Sequence, residues 1–171
     1  MQANWVIPRS VLLLVCVVTI VILPGTLSAE TLERASVIEQ RNAMHRLHTA
    51  VRVGDKDAIV SLLDSGFNVN ESEAMRLAIL MQRQDIVDVL IEHGADINRA
   101  GMSGEPPVIT ALRHDRVEMM KHLISKGADV NGLDLQGQTV LHYAKTRGGP
   151  VVIKYLKGNG AFEAPAGESA D

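Results

Sequence analysis

Six histidines, one cysteine and 20 acidic residues are the raw material for chemistry in this 171-residue chain, and their spacing makes little of it. His45 and His48 lie three apart, so on a helix both rings face one way and could join a zinc site. No cysteine or further close-spaced ligand completes it, and neither a metal nor a cofactor is expected. A hydrolase needs a nucleophile, a base and an orienting group. The chain has no Gly-x-Ser-x-Gly and no His-Glu-x-x-His. Gly101-Met102-Ser103-Gly104 is not followed by Gly-Lys-Ser/Thr, so it is a hairpin tip rather than a phosphate loop. Asn70-Glu71-Ser72 fits the glycosylation sequon, a pattern common by chance. A net charge of −3 lacks the basic face of a general nucleic-acid binder. The expectation is a protein that is no enzyme and acts through a surface.

What would position such a surface is a unit that recurs. Residues 50–66, 78–94, 111–127 and 144–160 align without gaps, each running from an alanine (Ala50, Ala78, Ala111, Ala144) to a glycine 16 residues on (Gly66, Gly94, Gly127, Gly160). The last three glycines are 33 apart; the first interval is only 28. Self-similarity at this period means stacked repeats, and stacks of this kind usually bind proteins. Each unit holds two amphipathic segments. The second carries Leu62, Leu90, Leu123 and Leu156 in one column and Ile59, Val87, Met120 and Ile153 three residues earlier, which puts both on one helical face. The glycine that follows suits a left-handed helix cap. The alanine column lets paired helices approach closely.

The beginning of the chain differs. Arg9 is the only charge in residues 1–29, and residues 11–23 form an apolar run of 13 ended by Pro24-Gly25. A run of that length, followed by small residues, predicts a signal peptide over residues 1–29, and it is short of the ~20 residues of a membrane span. Cleavage after Ala29 or after Ser28 fits. Retention as a membrane anchor is the alternative, in which case the protein faces the periplasm from the inner membrane. Val15 before Cys16 argues against a lipoprotein box. Cleavage leaves a chain without cysteine, carrying 16 basic and 20 acidic residues, which suits an oxidising compartment such as a periplasm, or secretion.

After the glycines come Phe67-Asn68-Val69-Asn70, Ala95-Asp96-Ile97-Asn98 and Ala128-Asp129-Val130-Asn131. Gly-Ala-Asp-Val-Asn, followed ten residues on by Thr139-Val140-Leu141-His142-Tyr143-Ala144, resembles the ankyrin repeat, whose signature is Thr-Pro-Leu-His-x-Ala. Leu47-His48-Thr49-Ala50 matches part of it, and Gly104-Glu105-Pro106-Pro107-Val108 keeps the hairpin glycine and a proline. The resemblance implies an all-α solenoid with short β-hairpin loops: a capping helix over 30–46, and a repeat domain over 47–163. Its four repeats span about 47–70, 73–98, 104–131 and 137–163, with a disordered tail over 164–171. His48 and His142 fall on the Leu-His position, where the imidazole is expected to hydrogen-bond between loops. The short first interval predicts a missing or reduced first finger, and Lys157, standing where earlier repeats have Leu63, Ile91 and Ile124, predicts a closing cap.

Ankyrin proteins bind partners through hairpin tips and the groove of the first helices. By column this implies fingertip residues Met102, Leu133, Leu135 and Gln138, and groove residues Arg52, Arg113, His114 and Arg147. Met102 and Leu135 share a column; they either pack neighbouring hairpins together or form an apolar contact patch. The groove arginines either face solvent or recognise carboxylates. A monomer that docks one protein partner, without nucleic acid, follows. The class includes inhibitors of an exported enzyme or toxin and accessories that stabilise a periplasmic enzyme.

Overall fold

Between Glu30 and Val53 the chain contains neither glycine nor proline, so nothing interrupts a helix once it starts. A computed structural model describes residues 29–162, with side chains from residue 33, and there this stretch is one helix, α1 (Ala29–Val53). The separate capping helix over 30–46 is therefore corrected: it continues without a break into the first helix of repeat 1. The chain divides into two compact units, Met1–Gln40 and Arg41–Asp171. In the first, the side chains of residues 33–40 are exposed, Val37 and Ile38 among them. The rest of the expected leader and the tail lie outside the described residues. Among the described residues no helix is long and apolar enough to cross a membrane.

In the second unit α1 is followed by α2 (Lys56–Asp64), α3 (Ala74–Leu80), α4 (Gln84–Glu92), α5 (Pro107–Arg113), α6 (Val117–Ser125), α7 (Val140–Tyr143) and α8 (Gly149–Gly158). A 3-10 turn, Val69–Glu71, precedes α3, and a π turn, Ala144–Gly148, joins α7 to α8. The end of α1, α3, α5 and α7 form the inner row; α2, α4, α6 and α8 form the outer row. Successive inner helices α3, α5 and α7 pack side by side, as do outer helices α2 and α4.

The two apolar columns meet between the rows. Leu62, Leu90, Leu123 and Leu156 are buried, as are Ile59, Val87 and Met120, while Ile153 is partly covered. Each buried leucine contributes about 1.5–3 kcal/mol of transfer free energy. The alanine column is buried throughout, the condition for close approach of the rows. The cap glycines Gly66, Gly94, Gly127 and Gly160 have φ of 91, 85, 95 and 87°, the left-handed geometry their sequence position demands. Lys157 is exposed where Leu63 is buried, so the stack ends on a wettable face.

The described residues contain no β-strand, so the expected β-hairpins are turns. Each finger is closed by a pair of backbone bonds: Gly101 N–H to Glu105 C=O (3.2 Å) and Gly104 N–H to Gly101 C=O (2.8 Å), then Asp134 N–H to Gln138 C=O (3.1 Å) and Gly137 N–H to Asp134 C=O (3.0 Å). Two bonds hold a turn but build no ladder.

A row of asparagines bonds repeat to repeat. Asn70 accepts from Asp96 N–H (2.8 Å) and donates to Gly94 C=O (2.9 Å). Asn98 accepts from Asp129 N–H (2.7 Å). Asn131 accepts from Phe162 N–H (3.0 Å) and donates to Gly160 C=O (3.1 Å). The Asp96 and Asp129 carboxylates accept from Asn98 and Asn131 N–H, both at 2.8 Å, and so fix the turn that aims each asparagine. These contacts satisfy backbone groups that helix ends leave open.

Candidate partner-binding face

The inner helices end on carbonyls that the next repeat covers. Arg83 donates to Val53 C=O (3.2 Å), lying across Gly54, where a β-carbon would run into its guanidinium. Arg147 donates to Arg113 C=O (3.2 Å). A cation at a helix C-terminus also meets the negative end of the dipole. Arg113 is paired with the Glu105 carboxylate and lies 5.7 Å from the Tyr143 ring. Two of the groove arginines thus also have partners within the chain. Arg147 bonds to the backbone of the repeat before it and Arg113 reaches the Tyr143 ring of the repeat after it, while Arg52, Arg113, His114 and Arg147 are all exposed.

His48 behaves as the motif implies: its Nε2 accepts Glu73 N–H at 3.2 Å across the first connection. Burial, with Arg52 and His45 adding to it, pushes the His48 ring below its ordinary value against the pull of Glu73, so the accepting nitrogen stays unprotonated. His142 departs from expectation. It is exposed, and its ring bonds to nothing among the described residues, packing edge-on against Tyr143. Among the described residues no following loop offers it an N–H. His45 and His48 gain no third ligand; among the described residues no group of three or more His, Cys, Asp or Glu could hold a metal ion.

The fingers project three large apolar side chains. Met102 is 91%, Leu135 75% and Leu133 53% exposed. Leu135 nevertheless lies on its neighbour, because a β-carbon at Gly104 would run into its side chain. The second finger is held from within: Asp134 accepts Gln136 N–H and Gln138 N–H (both 2.9 Å) and the Tyr143 hydroxyl (2.6 Å). Burial pushes the Asp134 carboxyl up, but these donors outweigh it and hold the group below the usual range. Gln138 thus serves the turn, its side-chain amide reaching Gln136 C=O (3.5 Å).

The first finger has Gly101 where the second has Asp134, and its support comes from outside. Glu73, in the shortened connection, accepts Met102 N–H at 2.8 Å. Between that connection and the finger lies a cleft of about 490 Å³, lined by His48, Glu73, Arg76, Ile79, Arg99, Met102 and Thr110 among others. Only the shortened interval was legible from sequence; the cleft depends on how far one repeat is offset from the next.

Stacked helix pairs joined by projecting turns, with a glycine-capped outer row and a histidine bridging loops, define a solenoid of short repeats. Residues 99–164 match the family described as ankyrin repeats (3 copies), so this part of the chain carries ankyrin repeats. The 2-5A-dependent ribonuclease of Homo sapiens is 38% identical over 73 residues, which cover 39% of this chain and 10% of that protein. The chain thus spans about a tenth of the length of the curated relative it matches. Ankyrin repeats generally mediate protein–protein interaction and are generally non-catalytic.

Proposed function

We propose that this is an exported docking protein, without enzymatic activity of its own, that binds one protein partner through its fingertip face. It does so as a monomer, in the periplasm or outside the cell, to inhibit or stabilise an exported enzyme or toxin. The observation that carries the reading is the exposure of Met102, Leu133 and Leu135 on neighbouring turns, since tips that reach into solvent are normally polar. The turns are braced by Glu73 and Asp134, so little order is lost on docking. The ribonuclease name of the relative is not carried over, because the match is confined to 73 residues of a far longer chain.

Capture from periplasmic extract by the tagged protein tests this. Leu133→Glu is expected to lose the captured partner while the helical circular dichroism stays unchanged; equal capture by the variant would refute the fingertip face. The amino terminus of the purified protein tests export. Ala29 or Glu30 as first residue marks release, and a retained Met1 marks the membrane-anchored alternative.

A further inference from the structure

The missing five residues take away more than a loop. The two fingers share one geometry: the same pair of closing bonds, with Gly104 and Gly137 at φ of 71 and 70°. Met102 in the first finger corresponds to Leu135 in the second. Leu135 has a seat, the bare backbone of Gly104 in the finger before it. Met102 has none, because only Glu71 and Ser72 stand where a regular connection would place seven residues before the chain enters α3. The most exposed large apolar side chain of the described residues is thus a knob whose seat the chain itself lacks.

The space beneath is already shaped. Glu73 satisfies Met102 N–H and has its own N–H taken by His48, so the wall stands without an occupant. Ile79 and Thr110 give a largely buried floor. Arg76 and Arg99 line the cleft and form no ion pair among the described residues. We propose that this cleft receives a glycine-bearing turn of a protein partner, which stands where the shortened connection lacks a finger and seats Met102 as Gly104 seats Leu135. The inference rests on the protein-docking reading above and names the part of the partner engaged. Asp-Gly turns fit best: they adopt tight reversals readily, and their carboxylate suits the forked donors of Arg76 or Arg99.

The probe is a disulfide-closed peptide carrying residues 98–106 of this chain, which presents its glycine as the first finger does. It is titrated to millimolar concentration into the full-length protein with 13C-labelled methionine methyls. The Met102 methyl is expected to shift saturably while the buried Met119 and Met120 stay still, and the peptide carrying Gly104→Val is expected to leave Met102 unmoved. No shift, or an equal shift with the valine peptide, overturns the proposal. A second protein, with the sequence of residues 101–105 inserted after Glu71, restores the 33-residue interval; its affinity for the peptide should fall by about tenfold or more. Undiminished binding overturns the proposal, as does a dimer in sedimentation that this insertion dissolves, which would assign the cleft to a second copy. If the peptide fails while Leu133→Glu still abolishes capture, the fingertip reading stands and the cleft inference falls.

Discussion

At the scale of single residues, the clearest physical signal is His48. Its ring is held below the ordinary value of 6.5 because the fold desolvates it, with Arg52 and His45 adding to that against Glu73, and its Nε2 serves as an acceptor. A base depressed in the folded state binds fewer protons than in the unfolded chain. Its stabilising contribution is therefore complete above about pH 6.5 and is lost as pH falls below that value through the folded one. Urea unfolding at pH 7 and pH 5 should show wild type weakening at the lower pH, and His48→Gln, whose amide oxygen accepts without titrating, weakening less. Two other residues carry backbone strain. Gln82 and Asp115 have φ of 56 and 58°, at the turn where repeat 1 places Gly54. Left-handed geometry costs a side-chain-bearing residue about 1–2 kcal/mol, against about 0.5–1 kcal/mol for the extra freedom of glycine in the unfolded chain. Gln82→Gly should thus raise stability by about 0.5–1 kcal/mol, with a smaller gain for Asp115→Gly since aspartate tolerates αL better. Thermal midpoints check both.

At the scale of elements, the outer helices were readable because their determinants are local. A leucine every repeat, an isoleucine, valine or methionine three residues earlier, and a glycine at the end require no knowledge of neighbours. Leu90→Ala should accordingly cost about 2–5 kcal/mol, with the midpoint in urea as the readout. The fingers were readable only in outline. That Leu135 lies on Gly104, that Glu105 captures Arg113, and that Glu73 braces the first finger all depend on the offset between repeats, which packing sets and no periodicity records. The boundary placed at residue 47 failed for the opposite reason: the repeat pattern suggested a division where the chain has no helix breaker. Tyr143→Phe probes the brace of the second finger. Removing a hydroxyl 2.6 Å from the buried Asp134 carboxylate should cost about 1.5–3 kcal/mol. It should also quicken amide exchange at Gln136 and Gln138.

For the whole stack, stability is a sum of repeats and the faces between them. Inner helices α3, α5 and α7 pack closely side by side, which puts α5 and α6 in the middle of the described repeats. Hydrogen exchange should therefore be slowest in α5 and α6 and faster in α2 and in residues 41–53 of α1. The shortened first connection joins the first of these repeats to the second. It follows that occupancy and survival are linked: a partner lodged there would hold the most easily opened repeat shut. Limited digestion would then cut residues 65–73 of the free protein first and spare them in the complex, so that the lifetime of the chain among proteases reports whether it has found its partner.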